Sequence, residues 1–182
     1  MKHVRISVDV EADGPCPGLY SMVCFGAVVV GDDLAKSKEW PSFRSGYVKP
    51  ISKLWIPEAL AVSGISREEH LLGQQPDPVM NRFKEWVLSQ TGLDARPVFV
   101  SDNPAFDWQF INYYLHLFTG DNPFGFSARR IGDFYAGLVR NWADAGKVKK
   151  HRITKHDHDP VNDARGNAEM LRWCLDNQQS ET

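Results

Sequence analysis

Apolar and polar residues alternate from the fourth position: Val4, Ile6, Val8 and Val10 point one way, Arg5, Ser7, Asp9 and Glu11 the other. A period of two predicts a strand with one buried face, and it places Asp9 and Glu11 together on the opposite face. Tyr20 to Val30 is β-branched and apolar enough for a central strand, and Phe43 to Val48 suggests a third, which gives a meander. The period then lengthens. Ile56 to Gly64 predicts a short helix stopped by its glycine, and Asp77 followed by Pro78 predicts the cap and first position of a longer one. Val79, Phe83, Trp86 and Val87 form the buried stripe of that helix, and Gly92 closes it. Pro97 to Ser101 is a continuous apolar run, the pattern of a strand covered on both sides.

Two later helices open in the same way. Asn103 and Pro104 begin one, Asp159 and Pro160 the other, and each carries an aspartate four residues after its cap, Asp107 and Asp163. In the last helix Val161, Ala164, Ala168, Leu171 and Leu175 recur at spacings of three and four, and Asp163 borders this stripe. His158 lies just outside the same helix. Phe106, Phe110, Tyr113, Tyr114 and Leu117 extend the earlier helix, with Trp108 off their stripe as a candidate for stacking on a base. Ile131 to Val139 opens a further helix, with Asp133 as a cap or turn residue. Strands followed by alternating helices and a further strand indicate a mixed α/β sheet. Ligands of such folds gather at strand ends and helix starts, where Asp9, Glu11, Asp107 and Asp163 all fall.

The composition narrows the class. The chain has 182 residues, 42% of them hydrophobic and 24% charged, which suits a single domain over residues 1–176 with a frayed tail from 177 to 182. Three cysteines without framework spacing read as reduced thiols, and Met1-Lys-His-Val-Arg leads straight into a strand without a signal-peptide core. A cytoplasmic protein with no membrane span is expected. Net charge is −2, yet residues 147–156 hold five Lys/Arg and no acid, leaving 16 basic against 23 acidic groups elsewhere. That segment is either a solvated, mobile loop or a contact to phosphates.

Four carboxylates gathered without compensation would repel strongly, and hard divalent cations resolve this. Oxygen-only ligands select Mg²⁺ or Mn²⁺, and two such ions about 4 Å apart suit phosphodiester hydrolysis. His158, with a reference pKa near ~6.5, is placed to take a proton from water. Taken singly, each acid reads as a cap or a surface group, and the chain as a domain that only binds nucleic acid. His156-Asp-His-Asp159 offers a further alternative, a separate zinc site, but no cysteine accompanies it and Asp159 is used as a cap.

Asp9-Val-Glu11, Asn103-Pro-Ala-Phe-Asp107 and His158-Asp-Pro-Val-Asn-Asp163 resemble the three motifs of the DEDDh branch of the DnaQ-like 3′–5′ exonucleases, within the RNase H-like superfamily. Pro57 to Ile65 resembles that family's link between meander and next helix. The resemblance implies a five-stranded mixed sheet flanked by helices and two bound Mg²⁺ or Mn²⁺ ions. It makes Asp9, Glu11, Asp107 and Asp163 the metal ligands and His158 the general base. It also implies release of 5′-mononucleotides from the 3′ end of single-stranded RNA or DNA. Small members like this chain point to RNA and to a homodimer, with DNA hydrolysis and an inactive binding module as alternatives. Three positions depart from the family pattern: Asp102 precedes Asn103 where histidine is common, Pro160 stands where alanine is, and Asp13-Gly14 replaces Thr-x-Gly.

Overall fold

A computed structural model describes residues 2–178. Five strands, β1 (Lys2–Ala12), β2 (Met22–Val29), β3 (Ser42–Arg44), β4 (Ala95–Ser101) and β5 (Ala128–Arg130), form one sheet in the order β3-β2-β1-β4-β5. The meander pairs are antiparallel, and β1–β4 and β4–β5 are parallel. Six α-helices accompany them: α1 (Pro57–Val62), α2 (Arg67–Leu71), α3 (Pro76–Thr91), α4 (Pro104–Thr119), α5 (Ile131–Leu138) and α6 (Pro160–Asp176).

The alternation along β1 sets the layers. Ile6, Val8 and Val10 pack beneath α3 and α4 with Phe83, Phe99, Phe110 and Tyr114. Val100 lies on the other side with Ile131 and Tyr135 of α5 and Leu171 of α6, while Val28 meets Ala164 and Ala168. Asp9 and Glu11 therefore belong to the face that α6 covers.

Several boundaries differ from the sequence reading for identifiable reasons. β3 is short because Gly46, at φ +68°, turns the chain out of the sheet, and Val48 re-engages through a bridge to Gln74. Helix α3 starts at Pro76 with Gln75 as its cap, since two prolines fit a first turn whose N–H groups lack partners anyway. Asp77 is thus inside the helix, where it accepts from Asn81. Asn103 is an N-cap by position, but its side chain makes no capping bond. Ser66 and Glu69 form a capping box that starts α2, a helix absent from the pattern reading although its cap is spelled out locally in the sequence. Trp108 is not a free platform, because it packs edge-on against Phe99 and Phe124. The basic segment is not a loose loop either: residues to His151 belong to a 3-10 helix, Trp142–His151, and Lys147 and Lys149 pair with Asp144 and Asp102. Asn177 caps the end of α6, and residues 179–182 of the expected frayed tail lie outside the described residues. Among the described residues, no helix is long and apolar enough to cross a membrane.

Candidate active site

β1 and α6 supply three carboxylates to one point. Asp9 and Glu11 come from the covered face of β1, and Asp163 returns from the first turn of α6; one oxygen of each lies within 4.8 Å of the others. The approach is close because Gly26, the partner of Asp9 on β2, has no side chain: a Cβ there would stand 2.4 Å from the Pro160 carbonyl. The start of α6 is fixed by Asp159, which accepts the Val161 and Asn162 N–H groups at 3.0 and 3.1 Å. Arg44 on β3 holds the same carboxylate at 2.7 and 2.8 Å and lowers its pKa. Asp163, 1% exposed, thus sits at the positive end of a helix dipole.

Asp107 is buried beside this group but outside the three-way cluster. Its Oδ1 accepts the Val10 N–H at 3.1 Å, which turns the carboxylate towards the β1 backbone. Its charge still reaches Asp9. Burial raises the Asp9 pKa well above the usual carboxylate value, and Asp107, Asp163 and Glu11 push it further in that order. Burial likewise brings Asp107 up to about 7 and raises Glu11. Burial is the largest cause of all three shifts, and for Asp9 the neighbouring carboxylates outnumber the one cation, Arg152, that opposes them.

The loop before α6 brings the remaining groups. His158, at φ +61°, donates its backbone N–H to Asp163 Oδ2 at 3.1 Å and places Nδ1 3.5 Å from Glu11 Oε1. His156 Nδ1 stands 2.7 Å from Asp163 Oδ2, so this histidine faces the site and does not wave in a mobile loop. The two imidazoles gather with Asp163, and Asp159 stays a cap, so the zinc alternative does not take the form read from the sequence.

Arg152 was hidden inside the basic segment. Its guanidinium bonds Asp163 Oδ1 at 2.6 Å and Asn167 Oδ1 at 3.1 Å. It lies over Gly166, where a Cβ would come within 2.3 Å of it. Glu169, fully buried on α6, accepts the N–H groups of Ile153 and Thr154 at 2.9 and 2.7 Å and ties down the strand of chain that carries Arg152. Nothing local announces these partners, since Asn167 and Glu169 read as ordinary helix residues. Around the cluster, a recess of about 100 Å³ is bounded by Asp9, Asp102, Lys149, Arg152 and His156. A second, of about 410 Å³, lies beyond His158 against Cys24, Arg44, Tyr47 and Ser63.

The three carboxylates offer oxygen donors that fit a divalent cation, and His156 and His158 stand beside Asp163 as nitrogen donors. No family model matches the chain. Over 178 residues, 94% of this chain and 91% of the relative, it is 44% identical to the 3′-5′ DNA exonuclease Cap18 of Escherichia coli. The nuclease domain of 3′hExo, a DEDDh family member bound to rAMP, superposes with a TM-score of 0.70 at 14% identity, over 95% of this chain and 92% of that one. A complex of E. coli ExoI with single-stranded DNA gives 0.65 at 19% identity, over 94% of this chain and 40% of the larger protein. With its RNase H-like sheet, its acidic cluster and this relative along nearly its whole length, the chain belongs to the DEDDh family of 3′–5′ exonucleases.

Proposed function

We propose that this protein removes nucleotides one at a time from the 3′ end of single-stranded DNA, releasing 5′-mononucleotides. The observation that carries this reading is the convergence of Asp9, Glu11 and Asp163 oxygens within 4.8 Å, with His158 against Glu11. Asp9, Glu11, Asp107 and Asp163 would hold two Mg²⁺ or Mn²⁺ ions; Asp107 would do so through the oxygen not engaged by Val10. When bound, such ions acidify a water and offset the charge of the departing oxyanion. DNA is preferred over the RNA expected from sequence, because the 44% identical relative is a DNA exonuclease.

The protein groups divide the remaining tasks. Glu11 beside Nδ1 orients the His158 ring, and Nε2 has no protein partner among the described residues, so it is the nitrogen that takes the proton from the attacking water. Arg152 offsets one carboxylate charge and keeps Asp163 aimed at the cluster. The recess beyond His158 is large enough for a terminal nucleoside, with Arg44 and Tyr47 on its wall. Matched DNA and RNA oligonucleotides, single- and double-stranded, digested with Mg²⁺ or Mn²⁺ and analysed for mononucleotides, test the whole reading. Single-stranded DNA should be shortened from its 3′ end in a metal-dependent way. His158→Ala should lose most turnover while binding Mn²⁺ with near-parental affinity. DNA left intact with either metal overturns the reading.

A further inference from the structure

The face of the sheet that carries Asp9 continues down to the other end of β1, and there α6 no longer covers it. His3 and Arg5 on β1, Arg96 on β4 and Arg129 on β5 share that face by register. They line two adjoining concavities of about 560 and 600 Å³, bounded by the end of α6 and by residues 122–127. Arg96 and Arg129 are exposed. Among the described residues Arg5, Arg96 and Arg129 have no carboxylate partner, and the one acid lining the concavities, Asp133, is paired with Arg130. Phe126, fully exposed, stands in the same wall.

Unpaired arginines flanking a bare aromatic ring combine two features of single-strand binding, cationic groups that follow phosphates and a face on which a base can stack. The place is joined to the site. Arg130 lines the first concavity and donates to the Asp102 carbonyl at 3.2 Å; Asp102 in turn borders the recess at Asp9 and holds Lys149 at 3.1 Å. Basic side chains thus continue from the mouth of the site along the β5 edge to Arg129. From Asp9 to Arg5 the distance along the strand is about 13 Å, and because Ser7 between them is fully buried, the route for a bound strand runs over Arg130 at the β5 edge and is longer. A dinucleotide held by its 3′ end is too short for this route, and a longer strand is not.

We propose that this arginine-lined surface binds the sugar-phosphate backbone of the substrate strand upstream of its 3′ end, with Phe126 stacking on one base. The proposal rests on the exonuclease reading for the identity of the strand, and its test separates the two. Binding of a single-stranded DNA of about 20 nucleotides, long enough for the path estimated above, is followed by fluorescence anisotropy in chelator, without hydrolysis. The variants are Arg96→Ala/Arg129→Ala and, separately, Phe126→Ala. The double variant should weaken binding about tenfold at low salt and flatten the slope of log affinity against log salt by about 1.4, the value for two lost single-strand phosphate contacts. Phe126→Ala should cost about fivefold or more with little change in slope. Both should cleave a dinucleotide at the parental rate. Parental affinity and slope in the double variant overturn the proposal, as does a change only in oligomeric state, which would mark the surface as a protein interface. A parent that binds the long strand through these arginines yet cleaves nothing would overturn the exonuclease reading and leave this one standing.

Discussion

Two buried acidic sites sit at the end of β1, two residues apart, and they are built to opposite rules. Asp13 is fully buried and satisfied: it accepts the Ser21 N–H at 2.6 Å and the Arg67 guanidinium at 2.8 Å. His70 stands 3.7 Å away with its pKa lowered by burial, hence neutral. One acid meets one arginine. At Asp9, Glu11, Asp107 and Asp163, four acids meet Arg152, and Asp9, Glu11 and Asp107 are pushed towards the protonated form. Burial alone therefore does not mark the site; uncompensated burial does. The departure from Thr-x-Gly at Asp13-Gly14 also finds its explanation here, as the anchor of a structural ion pair between the first loop and α2.

The largest expected effect tests that contrast directly. Asp9→Asn should reduce exonuclease turnover by more than the ~10–100-fold that loss of an outer partner of a metal ligand costs. The same change should raise the melting temperature of metal-free protein near neutral pH, because asparagine mimics the protonated side chain that the fold prefers. A mutant that is both inactive and less stable would put Asp9 in the structural class with Asp13. Arg67→Ala should do the reverse. Removing the partner of a buried carboxylate costs about 3–5 kcal/mol, so urea unfolding should show a large loss, whereas Mn²⁺ binding by the protein still folded should change little.

The pH dependence separates the clusters next. The folded-state pKa of Asp107, about 7, lies above its unfolded value of ~3.9. Its contribution to stability is therefore complete below the unfolded value and is lost as pH rises through about 7. Asp9 and Glu11 shift in the same direction. Metal-free protein should melt at a lower temperature at pH 8 than at pH 5.5, and Mn²⁺ should raise the melting temperature more at the higher pH. Equal shifts at both pH values would mean that these carboxylates are already compensated within the protein.

How far the sequence discloses this arrangement depends on whether a residue's role is set by its neighbours in the chain. Asp9 and Glu11 follow from a period of two, and Asp107 and Asp163 from a cap, a proline and a fixed offset, so all four are legible as carboxylates at element ends. The offset does not say where a carboxylate turns, and Asp107, held by the Val10 amide, stands outside the cluster that Asp163 joins. β5 escapes pattern reading because Ala-Arg-Arg has neither length nor alternation; its place comes from parallel pairing with β4. Arg152 could be seen only as one charge in a run. Its function depends on Gly166 and Asn167, fourteen and fifteen residues later, which one turn of α6 presents to it.

That glycine gives the finest test of the comparison. In an exposed helix Gly→Ala is favourable by about 0.8–1.0 kcal/mol, yet here the new Cβ would lie 2.3 Å from the Arg152 guanidinium carbon and would displace it. Gly166→Ala should therefore lower the urea midpoint, because about 1 kcal/mol of helix gain is smaller than the ~3–5 kcal/mol lost when a buried pair such as Arg152–Asp163 is broken. Turnover should fall by about tenfold, the effect of disturbing an outer partner of a metal ligand, with the decrease in kcat and little change in KM for a short oligonucleotide. Arg152→Lys should restore part of kcat in the Gly166→Ala background, because an ammonium on a slimmer stem can reach Asp163 past the added methyl. An alanine variant with parental kcat would show that Asp163 needs no arginine to hold its aim, and that the one cation of the open cluster, unlike Arg67 in the closed one, is dispensable.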